Sequence, residues 1–316
     1  MSAVIETQEL TKVYEAAFGG QDVRALTNLT LTINRQEIFG YLGPNGSGKT
    51  TTIKMLLSLI FPTSGKIRIM GNEDIVAPAV KRQIGYLPEG AYYPDFLKGE
   101  EILRFYGQLY GLSGKSLEKR IDETLETVGM TKARKRLLRG YSKGMRQRIG
   151  LAQCLLADPQ ILILDEPTTG LDPVARKEIR DLLVQLRSQG KTLLISSHEL
   201  LEVELISNRV GILYDGVLQT MGTIEDLLQE RDIVVDVSGI TASATSNLAG
   251  RGITAEDQID SRARLRVPSG MSVYDALDLI KAQSLSIVSV APRRETLEEL
   301  FVRVVGDAAR SKKEGK

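Results

Sequence analysis

The feature that most constrains this chain is the glycine-rich segment 43–50, which reads GPNGSGKT. It follows the apolar run 38–42 and precedes residues 51–57, whose apolar residues have helical spacing. A strand, a loop and a helix in this order are the context in which the pattern G-x-x-x-x-G-K-[ST] forms a phosphate-binding loop. The sequence therefore predicts an α/β fold that binds a nucleoside triphosphate at the end of a strand.

The glycines of this loop let successive backbone N–H groups converge on one point, because side chains would block that approach. Lys49 is expected to reach the β- and γ-phosphates, and the Thr50 hydroxyl is expected to bind Mg²⁺. The positive end of the following helix dipole adds to the attraction. The residues predicted to contact the nucleotide here are Gly43, Pro44, Asn45, Gly46, Ser47, Gly48, Lys49, Thr50 and Thr51. The alternative is a glycine-rich turn between a strand and a helix that matches the pattern by chance.

A second motif is the segment 161–166, ILILDE, in which an apolar strand ends in two acids. In parallel sheets, ligands bind at the carboxyl ends of the strands, so both carboxylates are expected beside the phosphate loop. Asp165 is predicted to hold Mg²⁺, directly or through water, and Glu166 to polarise the attacking water. The alternative is a buried strand followed by a solvated acidic turn, which the nearby phosphate loop makes less attractive.

With these two motifs, the sequence resembles an ATP-binding cassette (ABC) ATPase. The segment 141–145, YSKGM, is similar to the family signature LSGGQ. The resemblance implies that the Ser142 hydroxyl and the Gly144 backbone N–H face the γ-phosphate. Lys143 and Met145 replace the second-position glycine and the final glutamine of the signature, which puts in doubt any contact from the last position.

Further family motifs fall at the expected places. Asp172, in TGLD, resembles the D-loop that contacts a second cassette, and His198 stands where the family keeps its switch histidine. Tyr14 resembles the aromatic residue that stacks on adenine, although a core tyrosine is the alternative. Glu89 occupies the position of the Q-loop glutamine, where it is expected to ligate Mg²⁺ and link nucleotide to partner. An ionised glutamate donates no side-chain hydrogen bond, so the detailed role of this position stays open.

The resemblance implies a P-loop cassette with a RecA-like core, an antiparallel β subdomain and a helical subdomain, followed by a small C-terminal α+β domain. We expect the cassette to cover residues 1–228, with the helical subdomain at about 90–157. The accessory domain is predicted at 229–308 on the basis of alternating strand and helix patterns. Residues 309–316, which include Lys312, Lys313 and Lys316, are predicted to form a disordered basic tail.

The chain holds one phosphate loop and one signature. The family arrangement, in which the signature of one cassette completes the phosphate site of another, therefore implies a head-to-tail homodimer, or a heterodimer with a related cassette. ATP and Mg²⁺ are the expected cofactors. The expected function is ATP hydrolysis that energises a membrane transporter through an integral membrane permease. Segments 105–112 and 294–301 resemble ABC-2-type exporter ATPases. The alternatives are a soluble ABC protein acting on ribosomes or DNA, and a regulatory nucleotide-binding module without turnover.

Composition limits the expected partners and location of the protein. There are 41 Lys and Arg against 40 Asp and Glu, so a formal net charge of +1 provides no global attraction for nucleic acid, and none is expected as a partner. The basic cluster at 132–139 is interpreted as a solvated surface. The single cysteine, Cys154, is interpreted as a small buried apolar residue. No stretch approaches the ~18 apolar residues that span a bilayer, so the chain is expected in the cytoplasm, peripheral on the inner face of the membrane.

Overall fold

The computed structural model describes residues 2–16, 20–90, 92–228, 230–268 and 270–314. The chain divides into two compact units. The first comprises the described residues of Met1–Ile224 together with those of Phe301–Lys316, and the second is Glu225–Leu300. Each unit is described below by itself.

The strands, in chain order, are β1 (Ala3–Tyr14), β2 (Val23–Asn34), β3 (Ile38–Leu42), β4 (Ser64–Ile69), β5 (Ile84–Leu87), β6 (Ile161–Asp165), β7 (Thr192–Ser197), β8 (Arg209–Tyr214), β9 (Val217–Thr223), β10 (Glu230–Ser238), β11 (Thr254–Ile259), β12 (Arg262–Pro268) and β13 (Ser286–Arg294). The α-helices are α1 (Lys49–Leu56), α2 (Pro78–Lys81), α3 (Gly99–Leu109), α4 (Gly114–Thr127), α5 (Lys143–Leu155), α6 (Pro173–Ser188), α7 (Leu200–Glu204), α8 (Ile224–Leu227), α9 (Ala242–Ala249), α10 (Val273–Ala282) and α11 (Leu297–Glu314).

The central sheet of the first unit has the strand order β5-β6-β7-β3-β8-β9. The first five strands pair in parallel, and β9 pairs antiparallel to β8. Every residue of β3 and β6 is buried, as expected for strands of a parallel sheet that is covered on both faces. The carboxyl ends of β3, β6 and β7 lie side by side, with Asp165 paired to Ser196 and Leu42 paired to Ser197.

A second sheet, with the order β2-β1-β4, is antiparallel throughout. Buried side chains from β1, β2 and β4 form one core cluster with residues of β3 and α1. Helices α3, α4 and α5 form the helical part of the unit and pack in a separate cluster with β5, β6 and α6. Cys154 of α5 is 2% exposed within this cluster, and burial raises the pKa of its thiol to about 12, so it is the buried apolar residue that was predicted. The antiparallel sheet and the helical part confirm the predicted fold class.

The second unit contains an antiparallel sheet with the order β11-β12-β10-β13. Burial alternates along β12. Ala263, Leu265 and Val267 are buried, and the intervening arginines are exposed. The buried face packs against α9 and α10 to form the core of the unit. The boundary after Ile224 lies a few residues before the predicted one at 228/229.

The prediction of a disordered tail at 309–316 is wrong over residues 309–314, which continue helix α11 to Glu314. Residues from Phe301 onwards belong to the first unit, where Val304 and Ala308 line a groove of about 560 Å³ with the β8–β9 hairpin. Lys312 also forms an ion pair with Asp215 in the turn of that hairpin. The continued helix and this ion pair order a segment whose composition alone favoured disorder.

Candidate active site

The phosphate loop lies between β3 and α1, and two of its glycines have left-handed backbone conformations. The φ angle is 78° at Gly46 and 108° at Gly48. A Cβ atom at Gly48 would lie 2.5 Å from the backbone oxygen of Ala25, so only glycine fits there without displacing β2. Helix α1 begins immediately afterwards at Lys49. The loop therefore presents backbone N–H groups and the positive end of a helix to one point.

Lys49 is 7% exposed, although it carries an ammonium group. Its Nζ donates hydrogen bonds to the carbonyl oxygens of Gly43 and Pro44, at 2.6 Å and 3.2 Å. Burial lowers the pKa of Lys49, and the negative charges of Glu166, Asp165 and Glu89 oppose this effect. The ammonium is thus held against the loop while three carboxylates face it, as expected of a cation placed to meet phosphate.

Asp165 ends strand β6 and is 5% exposed. Burial raises the pKa of its carboxyl group, a hydrogen bond donated by the Ser196 hydroxyl lowers it, and the charges of Glu166 and Glu89 raise it further. A carboxylate that is desolvated and crowded by like charges gains most from a nearby cation.

Glu166 has a left-handed backbone with a φ angle of 52°. Its N–H donates to the Ser196 carbonyl oxygen at 3.0 Å, which ties the residue to the end of β7. The two carboxylate oxygens have different partners. Oε1 lies 2.8 Å from Nδ1 of His198, and Oε2 accepts a hydrogen bond of 2.8 Å from the Thr169 hydroxyl. The side chain of Glu166 is 7% exposed, whereas that of His198 is 51% exposed.

A cavity of about 150 Å³ lies where these elements meet. It is lined by Ala25, Asn45, Gly46, Ser47, Gly48, Lys49, Thr50, Thr51, Glu89, Asp165 and Glu166. The structure thus brings together the phosphate loop, both acids of the second motif and the Q-loop position. The buried hydroxyl of Ser47 has no hydrogen-bond partner within the part of the chain that is described. A buried hydroxyl without a partner, beside the Lys49 ammonium and the N–H groups of the loop, fits a ligand that carries phosphate oxygens.

Seven predicted site residues do not line this cavity. Three of them contact residues that do. Gly43 and Pro44 accept hydrogen bonds from Lys49, and His198 contacts Glu166.

The other four lie on other elements. Tyr14 ends β1, is 40% exposed and has the Lys12 ammonium 5.2 Å from its ring centre. Ser142 caps α5, because its hydroxyl accepts from the Met145 N–H at 3.2 Å. Gly144 lies in the first turn of that helix. Asp172 caps α6 through the Ala175 N–H, at 2.8 Å.

Sequence reasoning missed three residues that shape the site, namely Ser196, Thr169 and Ala25. Ser196 holds Asp165, and alignment of β6 with β7 places these two residues opposite each other. Thr169 holds Glu166 from three residues downstream. Ala25 closes the cavity from β2, and the local sequence contains no signal for this long-range contact.

Comparison with known proteins agrees with this geometry. The ABC transporter family model matches residues 26–169. An uncharacterised ABC transporter ATP-binding protein from Synechocystis is 36% identical over 95% of this chain and 84% of its own length. The daunorubicin resistance ATP-binding protein DrrA3 of Streptomyces coeruleorubidus is 34% identical over 92% of this chain and 94% of its own length. The bacitracin transport ATP-binding protein BcrA of Bacillus licheniformis is also 34% identical, with 97% and 98% covered.

Solved structures show the same fold. The structure of an ATP-binding subunit of an ABC transporter superposes with a TM-score of 0.62 at 31% identity, covering 71% of this chain and 91% of its own. A dimeric post-hydrolysis state of the ATP-binding cassette MJ0796, bound to ADP and phosphate, superposes with a TM-score of 0.63 at 25% identity, covering 70% and 99%. The expected family, fold and ATPase function are confirmed. This chain belongs to the ABC transporter family and is an ATP-binding, ATP-hydrolysing subunit.

Proposed function

We propose that Glu166, His198 and Lys49 carry out ATP hydrolysis in the 150 Å³ cavity. Glu166 orients the attacking water, because its carboxylate reaches the cavity and is held by neighbouring side chains. Lys49 and His198 stabilise the negative charge that develops on the transferred phosphoryl group. This proposal rests on the convergence of Lys49, Asp165 and Glu166 beside the phosphate loop. The backbone of that loop leaves no room for a side chain at Gly48.

The residues around the cavity also fit Mg²⁺. The Thr50 hydroxyl and the carboxylates of Asp165 and Glu89 are oxygen donors at its edge. Mg²⁺ is usually bound by one or two carboxylates together with substrate phosphates and water. Among the described residues, no group of three or more His, Cys, Asp and Glu side chains forms a metal site. When bound, the ion would neutralise charge on the β- and γ-phosphates.

We propose further that two cassettes form a head-to-tail homodimer. Ser142 and Gly144 lie outside the cavity of their own chain, so a second copy would supply this signature to the γ-phosphate. Asp172 and the D-loop would contact that copy, and Tyr14 would face the adenine. The dimeric cassettes among the structural relatives support the arrangement.

The transporter is proposed to be an ABC-2-type exporter. The support comes from relatives named for daunorubicin resistance and bacitracin transport. Within the described residues, no helix is long and apolar enough to cross a bilayer. We propose that an integral membrane permease provides the spans and that this chain binds it at the inner face of the membrane. We also propose that the second unit, Glu225–Leu300, forms an accessory domain.

Glu166→Gln tests the hydrolytic centre. The variant should bind ATP with wild-type affinity, hydrolyse it about a hundredfold more slowly, and accumulate as an ATP-bound dimer in light scattering. Glu126→Gln is the matched control, because Glu126 is exposed on α4 and does not line the cavity. A wild-type rate in Glu166→Gln would show that another residue activates the water.

Co-purification tests the partner. The tagged chain, solubilised in detergent from its native cells, should retain an integral membrane protein with about six apolar spans. Recovery of a soluble complex with ribosomes instead would overturn the transporter assignment. Deletion of residues 230–316, followed by measurement of ATPase rate and dimerisation, would show whether the accessory domain regulates turnover or assembly.

A further inference from the structure

Thr169 is the residue that holds the second oxygen of Glu166. Its hydroxyl donates to Oε2 at 2.8 Å, and its backbone N–H lies 3.4 Å from the Glu166 carbonyl oxygen. Thr169 is half-buried, and the Glu166 side chain is 7% exposed. A hydroxyl that donates to a shielded carboxylate makes a stronger bond than one between neutral groups. One residue therefore contacts both the backbone and the side chain of the catalytic acid.

The backbone of Glu166 needs such restraint. A φ angle of 52° is unfavourable for a residue with a side chain and persists only where neighbouring contacts hold it. On the β7 side, the Ser196 carbonyl accepts from the Glu166 N–H and His198 contacts Oε1. Thr169 supplies the contacts to the other carboxylate oxygen, Oε2, and to the Glu166 carbonyl oxygen. Without its hydroxyl, the carboxylate loses one of its two fixed points and can rotate away from the cavity.

The segment that carries Thr169 is itself tightly held. The Leu171 N–H donates to the Thr168 carbonyl oxygen at 3.2 Å, which closes a turn around Thr169 and Gly170. Gly170 has a φ angle of 68°, and a Cβ atom there would clash with Nζ of Lys143, at the start of the signature helix α5. The next acid, Asp172, fixes the segment to α6 through its helix cap. The segment is thus fixed to α6, and the end of the Lys143 side chain from α5 lies beside Gly170.

We propose that Thr169 is a positioning residue for hydrolysis, which orients the carboxylate of Glu166 and links that orientation to the 169–172 loop. The proposal rests on the hydrolytic role proposed for Glu166. Because Asp172 of the same loop caps α6, we expect movement of α6 to change the hydrogen bond from Thr169. Thr169 sets how often Glu166 is in its working geometry, and it leaves nucleotide binding to the phosphate loop.

The test compares Thr169→Val, which keeps the shape and removes the donor, with Thr169→Ser, which restores the donor. Thr169→Val should lower kcat about tenfold with KM and ATP affinity unchanged, and Thr169→Ser should recover most of the loss. In a Glu166→Gln background, Thr169→Val should cause no further decrease in the residual rate, since the group that it positions is already absent.

Thr127→Val is the matched control. Thr127 donates to the Glu123 carbonyl oxygen at 2.8 Å near the end of α4, and it does not line the cavity, so its variant should keep the wild-type kcat. A wild-type kcat in Thr169→Val, failure of Thr169→Ser to rescue, or an equal decrease in the Glu166→Gln background would overturn the inference. If Glu166→Gln itself is fully active, the proposed hydrolytic role fails and the inference fails with it. If Glu166→Gln is slow but Thr169→Val is fully active, only the role proposed for Thr169 is contradicted.

Discussion

The Nδ1 atom of His198 lies 2.8 Å from Oε1 of Glu166, across the carboxyl ends of β7 and β6. Since a carboxylate only accepts, Nδ1 carries the hydrogen atom of this bond. The histidine is half-exposed, whereas the glutamate behind it is nearly buried. His198 therefore lies between solvent and the acid, in direct contact with the group that is proposed to orient water.

Replacement of this histidine should affect turnover and spare nucleotide binding. We expect His198→Ala to lower kcat about a hundredfold, because the reaction loses a charge-stabilising group and Glu166 loses a fixed partner. ATP affinity, measured by equilibrium titration, should stay at the wild-type value. Leu201→Ala, on the exposed surface of the following helix α7, should leave kcat unchanged. A fully active His198→Ala would show that the contact is only structural.

Asp165 is expected to destabilise the nucleotide-free protein. Burial raises its pKa above the value in the unfolded chain, so ionisation disfavours the folded state. This loss of stability is complete above the folded pKa and disappears as the pH falls towards about 4. Asp165→Asn should therefore increase the free energy of unfolding at pH 7, and the increase should shrink as the pH is lowered. Urea titrations across this range measure it, while Mg²⁺-dependent ATPase activity should be lost. A decreased stability at pH 7 would contradict the argument.

Gly48 should not tolerate alanine. Its φ angle of 108° excludes ordinary side chains, and the new Cβ would lie 2.5 Å from the Ala25 oxygen. We expect Gly48→Ala to cost about 3 kcal/mol of stability and to abolish ATP binding. Gly71→Ala is the control, because Gly71 also has a left-handed φ, of 78°, but open space around it. That control should cost about 1 kcal/mol and leave ATP binding intact. Equal losses in the two variants would rule out the steric contribution.

Ser142 is expected to act both as a helix cap and as part of the composite site. Ser142→Ala should cost about 1 kcal/mol of stability through loss of the cap. It should also lower ATPase activity about tenfold, because the second copy loses a phosphate contact. Thr241→Ala removes an equivalent cap, the bond to the Ala244 N–H on α9, outside the cassette. If Thr241→Ala lowers ATPase activity as much as Ser142→Ala, the signature role of Ser142 is not supported.

Local sequence patterns were sufficient to predict the phosphate loop and the strand that ends in two acids. Residues 43–50 identify the phosphate loop because a glycine-rich segment that ends in Lys, between a strand and a helix, is specific for phosphate binding. Residues 161–166 identify a buried strand because a run of apolar residues suits a sheet that is covered on both faces. The disordered tail was predicted wrongly from its charge over residues 309–314, since the partner of Lys312 is Asp215 in the distant β8–β9 hairpin.

The sequence alone determined the cassette family, the phosphate loop and the identity of the acids Asp165 and Glu166, because these depend on residue type and short spacing. Only the tertiary structure decided which side chains hold those acids. Ser196 reaches Asp165 through the register of β6 with β7. Thr169 reaches Glu166 through a turn over residues 166–169 in which the backbone of Glu166 is left-handed. Contacts of this kind depend on strand register and backbone angles, which are set when distant segments pack together.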